Sequence, residues 1–476
     1  MNIKDAMNAE RNKMIPYKKQ AYKLLHQGAI ALAQVEGNGI QIDTDYLKKC
    51  IFKTEKKIEK LKHKLEQGDV AKKWKRVYGW KTNFNSNDQL GKILFDHMGI
   101  EGGVLTKSEK QYQTDEKSLM AVNHPFVKRH LQIKKLQKAL ATYLKGIQRE
   151  VVDGFLHPFF NLHTTTTFRS SSDSPNFQNI PIRDKGMGKL IRTAFIARPG
   201  RQLVELDYSQ LEVCIAACYH KDPVMIEYIS DPEKDMHRDM AMECYLLSAK
   251  QVTKDSRFYA KNCFVFPQFY GDWYIDCARA LWEAITTADL KTEKGTPLKE
   301  HLAKQGITEL GNLDPDEKPR KGTFERHIQQ VEKRFWQERF PIYDKWKKHW
   351  YSKYLGQGWM LTKTGFICQG FMKRNEVINY PVQGSAFHCL LWSLVRLVKE
   401  IKKRKMKTLI IGQIHDSILA DVPPEELDDF LVLAQDVMTT QLVKEWDWIN
   451  VPLSIEAEVC PVGGSWVDKE DVEIPK

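Results

Sequence analysis

Two aspartates stand where this chain could bind divalent cations. Asp207 closes the short apolar run 202–206 (QLVEL), and Asp416 lies in H-D-S between the apolar runs 408–414 and 418–422, which read as a β-hairpin with a carboxylate at its tip. Carboxylates at the ends of β elements are hard oxygen ligands, and Mg2+ takes a few of these together with substrate phosphate oxygens. A second constellation is R-F-Y-A-K-N-C-F-V-F-P-Q-F-Y-G. Arg257 and Lys261 are four apart and share a helical face, and Tyr270 follows nine residues on. Such a face suits a triphosphate, because Arg offers forked donors and Lys a point charge to phosphate oxygens, while an aromatic stacks on a base. Each pattern alone also fits ordinary structure: an Asp after a strand caps turns, and a basic stripe is a solvated helix face. Pro267 cannot continue a regular hydrogen-bond ladder, so the helix is expected to kink or stop there.

The elements that must position these residues follow from periodicity. Residues 44–68 carry apolar side chains at Leu47, Ile51, Ile58, Leu61 and Leu65 among lysines, an amphipathic helix that Asp43 or Thr44 can cap and Gly68 can end. Ser86 and Gln89 have the spacing of a capping box opening a second helix, and a lysine-rich third covers about 126–149. At residue 151 the texture changes to short apolar segments, prolines and hydroxyl residues, the material of strands and loops. Gln210 onward reads as a helix. Residues 285–325 are polar with Gly and Pro punctuation and read as an exposed insertion.

Composition narrows the class. With 476 residues and 42% hydrophobic content the chain can bury a large multi-lobed core, which excludes collagenous and disordered readings. A net charge of +12 favours an anionic partner. Nine cysteines, an odd number without a C-x-x-C pair, argue against a disulfide framework or zinc ribbon and for reduced thiols. No window has the length of a membrane span and no signal-peptide h-region opens the chain, so a cytoplasmic protein without membrane association is expected.

Taken in order, T-T-T-F-R-S-S-S-D-S-P-N-F-Q-N-I-P-I-R, V-E-L-D-Y-S-Q-L-E-V, the Arg257–Lys261–Tyr270 segment, N-Y-P-V-Q-G-S-A and Q-I-H-D-S resemble the motif set of family A DNA polymerases. Upstream, G-N-G-I-Q-I-D-T-D-Y-L, N-S-N-D-Q-L-G-K-I-L-F and H-P-F-V-K are similar to the thumb of that family, so the resemblance covers almost the whole chain. It implies an α+β right-hand fold with an antiparallel palm sheet and helical thumb and fingers. The implied division is 1–45 as an N-terminal segment joining the palm, 46–150 as thumb, 151–219 as palm, 220–400 as fingers with the insertion at 285–325, and 401–476 as the rest of the palm.

The resemblance also implies roles. Asp207, Asp416 and the backbone carbonyl of Tyr208 would hold two Mg2+ ions, with Mn2+ as a substitute, for in-line phosphoryl transfer. Arg257, Lys261 and His237 would grip the dNTP phosphates, with Lys261 also catalytic. Tyr270 would close over the nascent base pair, with Gln210 at the nucleotide and Glu212 crowding a ribose 2′-hydroxyl. Arg169, Gln383 and His415 would contact the minor groove, whose acceptors report pairing geometry in every base pair. Asn179 and Arg183 would touch DNA nearby, and the thumb lysines would track the duplex backbone. The expected partners are primer–template DNA, dNTPs, a separate exonuclease and other replisome proteins, the last in a phage-like setting, with the chain a monomer.

Three departures stand out. Ser417 occupies the position where the family carries an acidic residue after the Asp of its H-D motif. Cys214 replaces an Arg, and Cys218 one turn on makes helix packing the expected role for both. One extra residue separates Lys261 from Tyr270, leaving Val265 or Phe266 as the stacking aromatic position, and Phe266 is the aromatic choice. The resemblance begins near the N-terminus, so a stand-alone polymerase without proofreading is expected. The alternatives are a single-subunit RNA polymerase and a DNA-binding scaffold without turnover.

Overall fold

The computed structural model describes residues 13–106, 108, 110–181 and 185–475. Helix α1 (Lys19–Asn38) leads by a short strand, Ile40–Ile42, into helix α2 (Thr44–Glu66). Asp43 caps α2 by accepting the Tyr46 N–H at 2.8 Å, and the helix ends at Gln67, just before Gly68. The Ser86 capping box is only half made. Ser86 Oγ accepts the Gln89 N–H at 3.3 Å, but Gln89 Oε1 turns to the Trp74 indole N–H at 2.8 Å and the Asn83 N–H at 2.9 Å. The third lysine-rich stretch is helix α3 (Pro125–Lys138), continued by a wide turn, Ala139–Leu144, and a last helical piece, Lys145–Glu150. Ile58, Trp74, Leu94, Phe126 and Ile133 form a hydrophobic cluster of their own in this part of the chain, separate from the main core.

A five-stranded antiparallel sheet organises the remainder. Its strands are β1 (Gln202–Tyr208), β2 (Leu409–Ile414), β3 (Ser417–Val422), β4 (Ile455–Val459) and β5 (Glu470–Val472), in the order β2-β3-β1-β4-β5. The central strand β1 buries Leu203, Val204 and Leu206 at 0% exposure, and its neighbour β3 is buried along its whole length, as runs of aliphatic residues covered on both faces require. The expected hairpin forms with only His415 and Asp416 outside its strands, and His415 takes φ +49°. A bulge sits between Ile410 and Gly412 on β2, where any Cβ at Gly412 would stand 2.7 Å from the Phe177 ring.

Helix α4 (Leu211–His220) starts from Gln210, whose φ of +54° turns the chain sharply off β1. Helix α5 (Lys254–Ala260) runs into a wide turn, Lys261–Val265, and then into Phe266–Tyr270. Pro267 therefore neither stops nor breaks the helix. The extra residue is absorbed where the Phe266 N–H bonds the Lys261 carbonyl five residues back, and Pro267 sits at the start of the next turn, where its missing N–H matters least. Helix α6 (Arg374–Lys403) contains Pro381, and the carbonyl it leaves without a helical donor, that of Val377, accepts the Trp350 indole N–H at 3.0 Å.

The 285–325 segment corrects the expectation of an exposed excursion. It contains a helix, Leu298–Lys304, and buries Leu290, Leu298, Leu302 and Ile307 against the main core, so its polar composition hides an i, i+4 apolar stripe. All nine cysteines are free thiols, and Cys214 and Cys218 pack in the core. Among the described residues no helix is long and apolar enough to cross a membrane.

Candidate active site

Asp207 is the penultimate residue of β1, directly across from Ser417 on β3 and Glu456 on β4. Asp416 reaches the same place from the hairpin turn, and its backbone carbonyl accepts the Tyr208 N–H at 3.3 Å, which ties turn to strand. The Tyr208 ring points away into the core, where its hydroxyl donates to the Met438 carbonyl at 2.7 Å and lies 2.9 Å from Ser393 Oγ. Only the backbone of Tyr208 is therefore offered to the cleft.

Burial of the two carboxylates dominates the electrostatics. Desolvation within the cleft, with Asp416, Glu205 and Glu456 adding repulsion, pushes the Asp207 carboxyl up to about 7 even though the residue remains open to solvent. Asp416 is raised chiefly by burial, against the pull of Arg169 and His415. Among the described residues no three His, Cys, Asp or Glu side chains are grouped as a protein-only metal site. A pair of oxygen donors with a backbone carbonyl beside an open cleft fits Mg2+, which keeps water and substrate oxygens in its coordination shell.

The opposite wall comes from α4, α6 and the segment after α5. Asp207, Asp416, Tyr208, Gln210, Glu212, Arg169, Phe266, Tyr270, Gln383 and His415 line one cavity of about 430 Å3. Glu212 accepts the Tyr270 hydroxyl at 2.8 Å and pairs with Arg169, so three residues expected at the nucleotide and primer are linked. Asn379 and Asn375 on α6 donate to the carbonyls of Tyr270 and Gly271 at 3.0 and 3.2 Å. Gly271 has φ +88°, and a Cβ there would fall 2.3 Å from the Asn375 side chain, so only glycine permits this junction.

The cationic group lies beside this cavity. Arg257 pairs with Asp235 at 2.6 Å, and Lys261 Nζ stands 5.1 Å from the centre of the Phe266 ring. Burial and then Arg257 lower the Lys261 ammonium from its ordinary range. His237 meets Phe266 edge-on at 5.8 Å and is buried, and burial together with Lys261 and Arg257 pushes its imidazole down to about 4. It is therefore neutral at neutral pH, with a buried Nδ1 that has no hydrogen-bond partner. Of the two positions that residue counting left open, Phe266 faces the cavity while Val265 is fully buried in the core.

One expected contact stands elsewhere and a second is not described. Asn179 is exposed on a short turn outside the cavity, its carbonyl accepting the Tyr143 hydroxyl at 3.2 Å, and Arg183 lies outside the described residues. Sequence reasoning passed over Glu456, whose E-A-E alternation on a strand points at the Asp207 face, and Asn379, four residues before Gln383 on one helical face. It also passed over Asp235, two residues before His237.

Residues 51–290 and 361–468 match the profile of DNA polymerase family A. The chain belongs to that family. It is 29% identical over 448 residues to the thermostable DNA polymerase I of Thermus filiformis, covering 92% of this chain and 47% of that protein. It is 27% identical to DNA polymerase I of Bacillus subtilis, covering 92% and 45%. It is 28% identical to a DNA polymerase of Bacillus phage SP01, covering 84% and 45%. The chain thus spans about half the length of the curated relatives it matches. In fold it is similar to the POL domain of Pol1 from M. smegmatis, solved in complex with DNA primer-template and dNTP, with a TM-score of 0.69 at 23% identity, covering 92% of this chain and 69% of that one. The family A polymerase fold accounts for the mixed helical and antiparallel architecture.

Proposed function

We propose that this chain is a DNA-directed DNA polymerase that adds dNTPs to a primer 3′ end, with the sheet as palm, residues 46–150 as thumb and 220–400 as fingers. The observation that carries this reading is the meeting of Asp207 on β1 with Asp416 on the adjoining hairpin turn, facing a cavity walled by Phe266 and Tyr270 with Lys261 and Arg257 behind. Two Mg2+ ions, when bound, would make the primer hydroxyl more acidic and neutralise charge on the transferring and leaving phosphates. Asp207 and Asp416 hold that charge in place from β1 and the hairpin turn. Lys261, half-buried and already short of solvent, and Arg257, shared with Asp235, bind triphosphate oxygens where negative charge builds in the transition state. His237 contributes a neutral imidazole.

Phe266 and Tyr270 offer ring faces to the incoming base pair. Glu212, anchored by Tyr270 and Arg169, lies where a 2′-hydroxyl would crowd it, which favours dNTPs over rNTPs. Arg169, Gln383 and His415 present donors toward the minor groove. The test is extension of a labelled primer–template in Mg2+ with dNTPs and rNTPs offered separately, comparing wild type with Lys261→Ala. Extension with dNTPs that in Lys261→Ala needs far more nucleotide at unchanged duplex affinity supports the reading. Duplex binding with no extension under any metal leaves a DNA-binding scaffold instead, and equal use of rNTPs removes the role given to Glu212.

A further inference from the structure

The H-D-S turn lacks the acidic residue that follows its aspartate in the family pattern, and Ser417 stands there instead. Ser417 is directly across from Asp207, so both side chains project from one face of the sheet, and Glu205, two residues before Asp207, shares it. Ser417 Oγ lies 3.2 Å from Glu205 Oε1 and 3.0 Å from the Ile414 carbonyl, and its single proton serves one of them at a time. The other oxygen of Glu205 accepts from Trp466 Nε1 at 2.9 Å and Lys469 Nζ at 2.8 Å. Glu458, opposite Glu205 on β4, shares Lys469.

We propose that Glu205 supplies from the neighbouring strand the carboxylate that the H-D-S turn has lost, and acts as a positioning residue for the Asp207 and Asp416 pair. The proposal rests on the polymerase reading. A side chain only 11% exposed beside one 15% exposed is a costly place for an ion pair, and apolar residues there would serve packing alone as well or better. The charge instead stands on the Asp207 face, and its partner Ser417 is covalently next to Asp416. A carboxylate at position 417 together with Glu205 would set like charges against each other, whereas a serine accommodates Glu205 and takes its hydrogen bond. The two positions therefore trade one negative charge across the strand pair, holding strand and turn as a unit.

The experiment is primer extension over a range of Mg2+ concentrations by wild type, Asp207→Ala, Glu205→Gln, Ser417→Glu and the double variant Glu205→Gln/Ser417→Glu, with duplex affinity and thermal unfolding measured in parallel. Glu205→Gln is expected to lower kcat or raise the Mg2+ required by about tenfold, the scale for losing a partner that orients metal ligands, at unchanged duplex affinity. Ser417→Glu alone is expected to be impaired, and the double variant to recover toward wild type. A residue serving stability alone would not be rescued by a carboxylate placed on another strand. If Glu205→Gln is unstable, the double variant is read by itself, and its failure to recover folding and extension overturns the proposal. A Glu205→Gln enzyme with wild-type kcat and Mg2+ requirement, or a double variant as impaired as its parents combined, overturns it while extension lost only in Asp207→Ala leaves the polymerase reading standing. No extension by wild type overturns both.

Discussion

The wide turn at Lys261–Val265 makes a sharp prediction about two adjacent residues. Without it, five residues of α-helix would turn Phe266 about 140° away from Lys261. With one residue absorbed the offset falls to about 40°, which brings the ring under the ammonium. Val265 is rotated into the core at 0% exposure, while Phe266 lines the cavity. Val265→Ala removes the equivalent of two buried methylenes at about 0.8 kcal/mol each and leaves a small cavity, a loss of about 2 kcal/mol and a few degrees of melting temperature. Its KM for dNTP should stay near wild type. Phe266→Ala forfeits one base-stacking contact worth about 1–3 kcal/mol, which corresponds to a rise in KM of roughly 5- to 150-fold, with the smaller cost in stability. Single-nucleotide incorporation kinetics alongside thermal unfolding read both effects. A Val265→Ala enzyme whose KM rises as much as that of Phe266→Ala would refute this assignment.

Other outcomes follow from buried charge. His220 and His388 are buried, and desolvation pushes both imidazoles down to about 3 from the ordinary 6.5. The unfolded chain therefore binds more protons below 6.5. Stability is complete above that pH and falls as pH drops toward 3, by about 2 kcal/mol per histidine at pH 5, as denaturant titrations at pH 7 and pH 5 would measure. Asp421 is 1% exposed and pairs with Arg198 at 2.6 Å, so Arg198→Ala should cost about 3–5 kcal/mol in the same assay, because it strands a buried carboxylate. Lys134 and Lys138 lie along α3 beside a cavity of about 380 Å3. Replacing both by alanine should lower the slope of log affinity for duplex against log salt by about 2, measured by anisotropy between low and moderate salt.

Much of the site was legible because its signals are local. The hairpin around His415 and Asp416 is written as two apolar runs with three polar residues between them, and β1 as an apolar run ending in Asp207. The α2 cap at Asp43 was equally readable. The displaced register between Lys261 and Tyr270 showed as one residue too many, but only backbone geometry tells a wide turn from a break at Pro267. The network of Glu205, Ser417, Lys469 and Trp466 was invisible, because its partners are 212 to 264 residues apart and each alone reads as an ordinary strand or loop residue. In the 285–325 segment, punctuation outweighed the Leu298 and Leu302 pair that docks it.

In the proposed reaction Asp207 and Asp416 together form the metal-binding centre of a DNA polymerase. The most direct measurement is single-turnover dNTP addition to a bound primer–template in Mg2+ by wild type, Asp207→Ala and Asp416→Ala, with duplex affinity determined for each. Wild type is expected to add the nucleotide and both variants to lose addition, by about a hundredfold or more, at duplex affinities close to wild type. Addition that survives either substitution, or a wild type that binds duplex and adds nothing, would contradict this assignment.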